Sequence, residues 1–180
     1  MRLSCAGHPD VFVNGAEKTI FINGGQAEIS KYYSRDQGAI VANVLQENEF
    51  KSSVQNLTPH ALDAELWQAG VVCSNGKLLP GQRTDVPVKL KAWPNFSRQG
   101  FKPEYFKIAA YMAKQAISID ELSKVTQVQL DIVIDFYNAA FAVDLIETHP
   151  GNARQQVQER QISGDRKTLL GKLAQRLKFA

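Results

Sequence analysis

The chain has 180 residues and a mass near 20.0 kDa, room for one medium domain or two small ones. Hydrophobic residues make up 44% and charged residues 22%, which excludes wholesale disorder, and no apolar run approaches the ~18 residues of a membrane span. The net charge is +3 with a pI near 8.8, and two cysteines, Cys5 and Cys73, exclude a disulfide scaffold and an all-cysteine zinc site.

Residues 10–30 read as short strands. Val11-Phe12-Val13 and Thr19 to Ile22 are apolar runs, and Ala27-Glu28-Ile29 alternates. Asn14-Gly15 and Asn23-Gly24-Gly25 between them predict hairpin turns, because Asn and Gly tolerate positive φ. Ser34 followed by Gln37 is a capping box. It predicts a helix to about Phe50, with Ile40, Val41, Val44 and Leu45 on the buried side. Thr58-Pro59 predicts the next helix start, with Leu62, Leu66 and Ala69 at helical spacing and Gly70 as its stop. Val71-Val72-Cys73, Asn75-Gly76 and Lys77-Leu78-Leu79 then read as a hairpin. Val86, Val88 and Leu90 alternate as one more strand, which Pro87 should hold at an edge.

Residues 92–102 read as a loop and linker, broken by Pro94 and Gly100, with Trp93 and Phe96 pinning it to a core. Pro103 predicts a helix to about Gln115, with Phe106, Ala109, Ala110 and Ala113 inward. Ser118 and Glu121 form a capping box for a short helix with Ile119, Leu122 and Val125 inward. A turn at Thr126 to Val128 leads to a long apolar helix from Gln129 to about Val143. Leu130, Val133, Ile134, Tyr137 and Phe141 form its stripe, and Leu145-Ile146-Glu147 follows as a strand. Residues 149–164 are polar, and Asp165 to Phe179 predicts a basic amphipathic helix with Leu169, Leu170, Leu173 and Leu177 on one arc.

Residues 103–147 resemble a winged helix-turn-helix domain. The match is carried by Ile117-Ser118-Ile119-Asp120-Glu121-Leu122-Ser123, by Val125-Thr126-Gln127-Val128, and by the long helix running into Phe141-Ala142-Val143-Asp144-Leu145-Ile146-Glu147. Residues 58–79 carry a fainter version. The resemblance implies a support helix, a recognition helix and a strand leading to a wing, and in that family DNA is bound through the recognition helix. The expected fold class is therefore α+β. A small mixed strand/helix N-terminal module (1–91) and the linker (92–102) precede a winged-helix-like module (103–148) and a basic tail (149–180).

Charge argues against DNA at that helix. Residues 103–147 hold Lys107, Lys114 and Lys124 against seven carboxylates, a net of −4. The helix from Gln129 has no Lys or Arg, and phosphate neutralisation needs them. Its polar face is expected to present Gln127, Asp131, Asp135 and Asn138, either as an ordinary solvated face or as a docking face for a basic or polar partner. The tail, with seven basic and two acidic residues, is net +5. Its candidates Arg166, Lys167, Lys172, Arg176 and Lys178 favour packing on the chain itself or on a partner protein, ahead of an anionic membrane surface and of nucleic acid.

No catalytic constellation is legible. His8, His60 and His149 each sit beside a proline without a second ligand at metal spacing. Cys73 reads as a buried structural thiol rather than a nucleophile paired with His60. No P-loop, G-x-G-x-x-G or Gly-x-Ser-x-Gly occurs. With Met1 as the native start, no lipoprotein signal is expected, since only four residues precede Cys5, and Asn56-Leu57-Thr58 and Asn95-Phe96-Ser97 carry no meaning without secretion. The expectation is a cytoplasmic, non-enzymatic regulatory or adaptor protein with no cofactor, its partner another protein or a second copy of itself. The alternatives are a DNA-binding regulator and a sensor of a nucleotide or small anion.

Overall fold

The computed structural model describes residues 1–23, 32–33 and 40–148. Within them the fold is α+β. A five-stranded antiparallel sheet has the order β4-β1-β2-β3-β5, from β1 (Arg2–Ser4), β2 (Val11–Asn14), β3 (Thr19–Ile22), β4 (Val41–Asn43) and β5 (Pro59–Ala61). The hairpin β2–β3 pairs Val11 with Ile22 and Asn14 with Thr19. Its turn forms where expected but by a different device. The Asn14 side-chain oxygen accepts from the amides of Ala16 and Glu17, at 3.1 and 3.2 Å, and the left-handed residue is Lys18 (φ 52°) rather than Gly15.

The pleat sorts this hairpin into two faces. Phe12 and Phe21 are opposite one another and take Phe50 of α1 (Glu47–Val54) edge-on, at ring distances of 6.3 and 6.0 Å. Val11, Ile20 and Ile22 face the other way, against Leu62, Tyr32 and Tyr33. The helix expected to reach Phe50 from the Ser34 capping box is corrected over 40–46. Val41–Asn43 is a strand paired to β1, and Ile40, Val41 and Val44 are exposed, Val44 at 91%. Sheet pairing outcompetes a helical spacing that had no core to face. Ser34, Gln37 and the expected strand at Ala27-Glu28-Ile29 lie outside the described residues.

α2 (Leu62–Ser74) starts after β5, not at Thr58, and runs straight through Gly70. A Cβ on Gly70 would lie 2.6 Å from Ala139 Cα and 2.8 Å from Asn138 O. Gly70 is therefore a close-approach residue where α2 crosses α6 (Leu130–Ala142), not a stop. Val71-Val72-Cys73 is helix, and no hairpin forms at 71–79. Asn75 (φ 46°) and Gly76 (φ 68°) instead end α2 in left-handed conformations. The following segment is tied down by Asn138, whose Nδ2 donates to Lys77 O (2.9 Å) while its Oδ1 accepts from Leu79 N (3.2 Å).

The main core gathers on the other side of α2. Trp67, 1% exposed, meets Phe96, Tyr105 and Phe136 edge-on. α3 (Phe96–Gln99) is a single helical turn inside the expected loop. Phe96 packs on the core, as expected of a pinning residue, while Trp93 is half exposed. α4 (Pro103–Lys114) has the expected bounds but a rotated face. Tyr105, Ile108, Ala109 and Met112 point inward, and Phe106, Ala110 and Ala113 do not. Two stripes shared the same spacing, and the one with the larger apolar area is buried. α5 (Ile119–Thr126) is capped by Ser118 Oγ accepting from Glu121 N at 3.3 Å, with Ile119 and Leu122 buried and Val125 exposed. α6 buries Val133, Ile134, Phe136, Tyr137 and Asn138 to Ala140, leaving Leu130 and Phe141 partly outside.

β6 (Val88–Leu90) pairs antiparallel with β7 (Ile146–Thr148), Leu90 opposite Ile146. On its other side Val88 exchanges backbone hydrogen bonds with Ile117, both 3.0 Å. The expected edge position for this strand is thus corrected. Pro87 stands just before the strand, where its missing N–H costs the ladder nothing.

Candidate functional site

Two concavities flank α2. The first is a polar cleft of about 350 Å³, where the C-terminal end of α2 meets the first two turns of α6. It is lined by Val71, Val72, Asn75, Gly76, Asp131 and Asp135. The left-handed end of α2 brings its backbone close to α6. A Cβ on Gly76 would lie 3.2 Å from Asp131 Cβ. Asp131 is exposed in the first turn of α6, where the helix dipole favours a carboxylate.

Asp135 sits one turn deeper, with its side chain 18% exposed. Its Oδ2 is 3.7 Å from Lys102 Nζ, while Oδ1 is buried and has no hydrogen-bond partner among the described residues. Lys102 Nζ also lies 5.6 Å from the centre of the Tyr105 ring. Burial, and then the charges of Asp135 and Glu104, push the Tyr105 phenol well above its ordinary range. The cleft is therefore lined by two carboxylates, and among the described residues one of them, Asp135, is answered by Lys102.

Of the four residues expected on one polar face, Asp131 and Asp135 come together in this cleft. Gln127 is exposed but belongs to the left-handed turn between α5 and α6 (φ 56°) and does not line the cleft. Asn138 is corrected outright. At 0% exposure it is a core residue, and its amide is spent on Lys77 and Leu79. A helical wheel cannot see this, because its partners lie about sixty positions earlier in the chain. The tail candidates Arg166, Lys167, Lys172, Arg176 and Lys178, and His149, lie outside the described residues.

The second concavity is apolar, about 380 Å³, between the sheet and α2. Among the described residues lining it the one carboxylate is Glu65, 5% exposed, whose Oε2 accepts from the Tyr33 hydroxyl at 2.7 Å. Neither residue was singled out from the sequence. A signal did exist. Leu62, Glu65, Leu66 and Ala69 stand at i, i+3, i+4 and i+7, which sets a carboxylate inside an apolar stripe.

His60 lies in β5 opposite Ile20, not in a helix turn. Cys73 is half-buried in α2, not in a strand, and its thiol donates to Tyr33 O at 2.9 Å. Among the described residues no three His, Cys, Asp or Glu side chains stand close enough to hold a metal ion, and no helix is long and apolar enough to cross a membrane. Comparison with known protein families, curated proteins and solved structures finds no match.

Proposed function

We propose that this chain is a non-enzymatic regulatory or adaptor protein that binds another protein through the cleft between α2 and α6. The observation that carries the reading is that Asp131 and Asp135 line one cleft, Asp131 exposed and Asp135 answered among the described residues by Lys102 at 3.7 Å. A lysine or arginine side chain from a partner would meet both carboxylates, and its aliphatic stem would lie on Val71 and Val72. The winged-helix likeness of 103–147 is part of the same reading. It is supported by the order α4, the Ile117 bridge, α5, the turn at Gln127, α6 and β7. The acidic balance of that segment favours a basic protein partner over phosphate.

The test is a pull-down from lysate with and without nuclease treatment, with the bound proteins identified by mass spectrometry. A stoichiometric protein partner is expected, and the Asp131→Lys/Asp135→Lys variant should lose it while keeping its circular dichroism spectrum. Capture of nucleic acid alone, abolished by the nuclease, would overturn the reading.

A further inference from the structure

The apolar cavity between the sheet and α2 has a wall that a simple packing defect would not need. Its volume, about 380 Å³, lies within the ~300–1,000 Å³ typical of small-molecule sites. Val11, Val13 and Ile20 from the strands and Leu62 and Leu66 from α2 supply hydrocarbon. Glu65 stands among them, 5% exposed. One of its oxygens is engaged by Tyr33, and among the described residues no lysine, arginine or histidine pairs with it. An ionised carboxylate removed from water costs several kcal/mol unless a cation answers it.

Tyr33 supplies a hydrogen bond but no positive charge. Burial, and then its bond to Glu65, push the phenol far above its ordinary range, so it stays a neutral donor. The thiol of Cys73, donating to Tyr33 O, ties this residue to α2 as well. The arrangement is an apolar chamber with one oriented carboxylate and an unmet need for positive charge. Among the described residues no lysine, arginine or histidine lines the cavity, and the one ammonium there, that of Met1, is held by Val13 O at 3.0 Å.

We propose that this cavity binds a small organic cation with an apolar body, an alkyl- or arylalkyl-ammonium ion. Its N–H groups meet Glu65 and its hydrocarbon fills the space between β2, β3 and α2. The inference does not depend on the docking cleft.

The test is isothermal titration calorimetry of the full chain with octylammonium and with octan-1-ol, which share a chain length and differ in charge. Octylammonium should bind one to one, and the alcohol at least about tenfold more weakly, which is ~1.4 kcal/mol. Glu65→Gln should reduce the ammonium to the level of the alcohol. Ala69→Leu, which places a side chain in the cavity, should abolish both. Equal binding of the two probes, no binding of either, or ammonium binding that survives Ala69→Leu would overturn the proposal. If Glu65→Gln fails to fold, the two probes on the native chain and the Ala69→Leu variant still decide it.

Discussion

The two sides of α2 are packed by opposite rules. Toward α6 the helix has no slack at its crossing point, and the polar cleft opens only beyond it. Backbone meets backbone at Gly70, and Trp67 is enclosed by three aromatic rings. Toward the sheet, the buried cluster among the described residues is Val11, Ile20 and Ile22, with partly buried neighbours, and a cavity remains. A tightly interdigitated core tolerates no added atom, whereas a thin core beside a cavity can take one. The difference separates the part of the molecule that sets its shape from the part with room for something else.

Adjacent positions on one helix sharpen this contrast. Gly70→Ala should produce the largest effect. Helix propensity alone would gain about 1 kcal/mol, but a Cβ 2.6 Å from Ala139 Cα forces two helices apart. A net loss of about 3 kcal/mol is expected from urea denaturation. A variant as stable as the native chain would show that the crossing is looser than described. Next comes Asn138→Ala, which strands Lys77 O and Leu79 N and should cost about 2 kcal/mol in the same measurement. Smallest is Ala69→Leu, one residue before the glycine and on the cavity side. Its stability should stay within about 1 kcal/mol of native. If positions 69 and 70 responded alike, the two sides of α2 would not differ as argued.

The elements legible in the sequence are those whose signals are local. Pro103, the Ser118 cap, the apolar run from Leu130 and the alternation around Val88 mark α4, α5, α6 and β6 close to their true bounds. Where the outcome was decided by a distant partner, local reading failed. Gly70 looks like a stop until Ala139 is seen across from it. Ile40, Val41 and Val44 have a helical spacing, yet Val41–Asn43 pairs with β1. Asn138 looks like surface until its carbonyl and amide partners arrive from the end of α2. The candidate sites divide in the same way. Asp131 and Asp135 could be paired by counting along a helix. Glu65 and Tyr33 are brought together across thirty-two positions of chain, with only the interrupted apolar stripe to hint at it.

The clamp by Asn138 has a consequence for motion. Residues 77–82 form neither helix nor strand, and by that criterion they would be the first to fluctuate. Yet the Leu79 amide ends on a side chain in the middle of α6, and Gln82 is held by the Tyr137 hydroxyl at 2.6 Å. Opening this loop means breaking into the most enclosed part of the molecule. The Leu79 amide hydrogen should therefore exchange with solvent on the schedule of the core, not on that of a surface turn. Asn138 and Tyr137 thus couple the loop to α6, and α2 ends against a braced segment rather than a hinge.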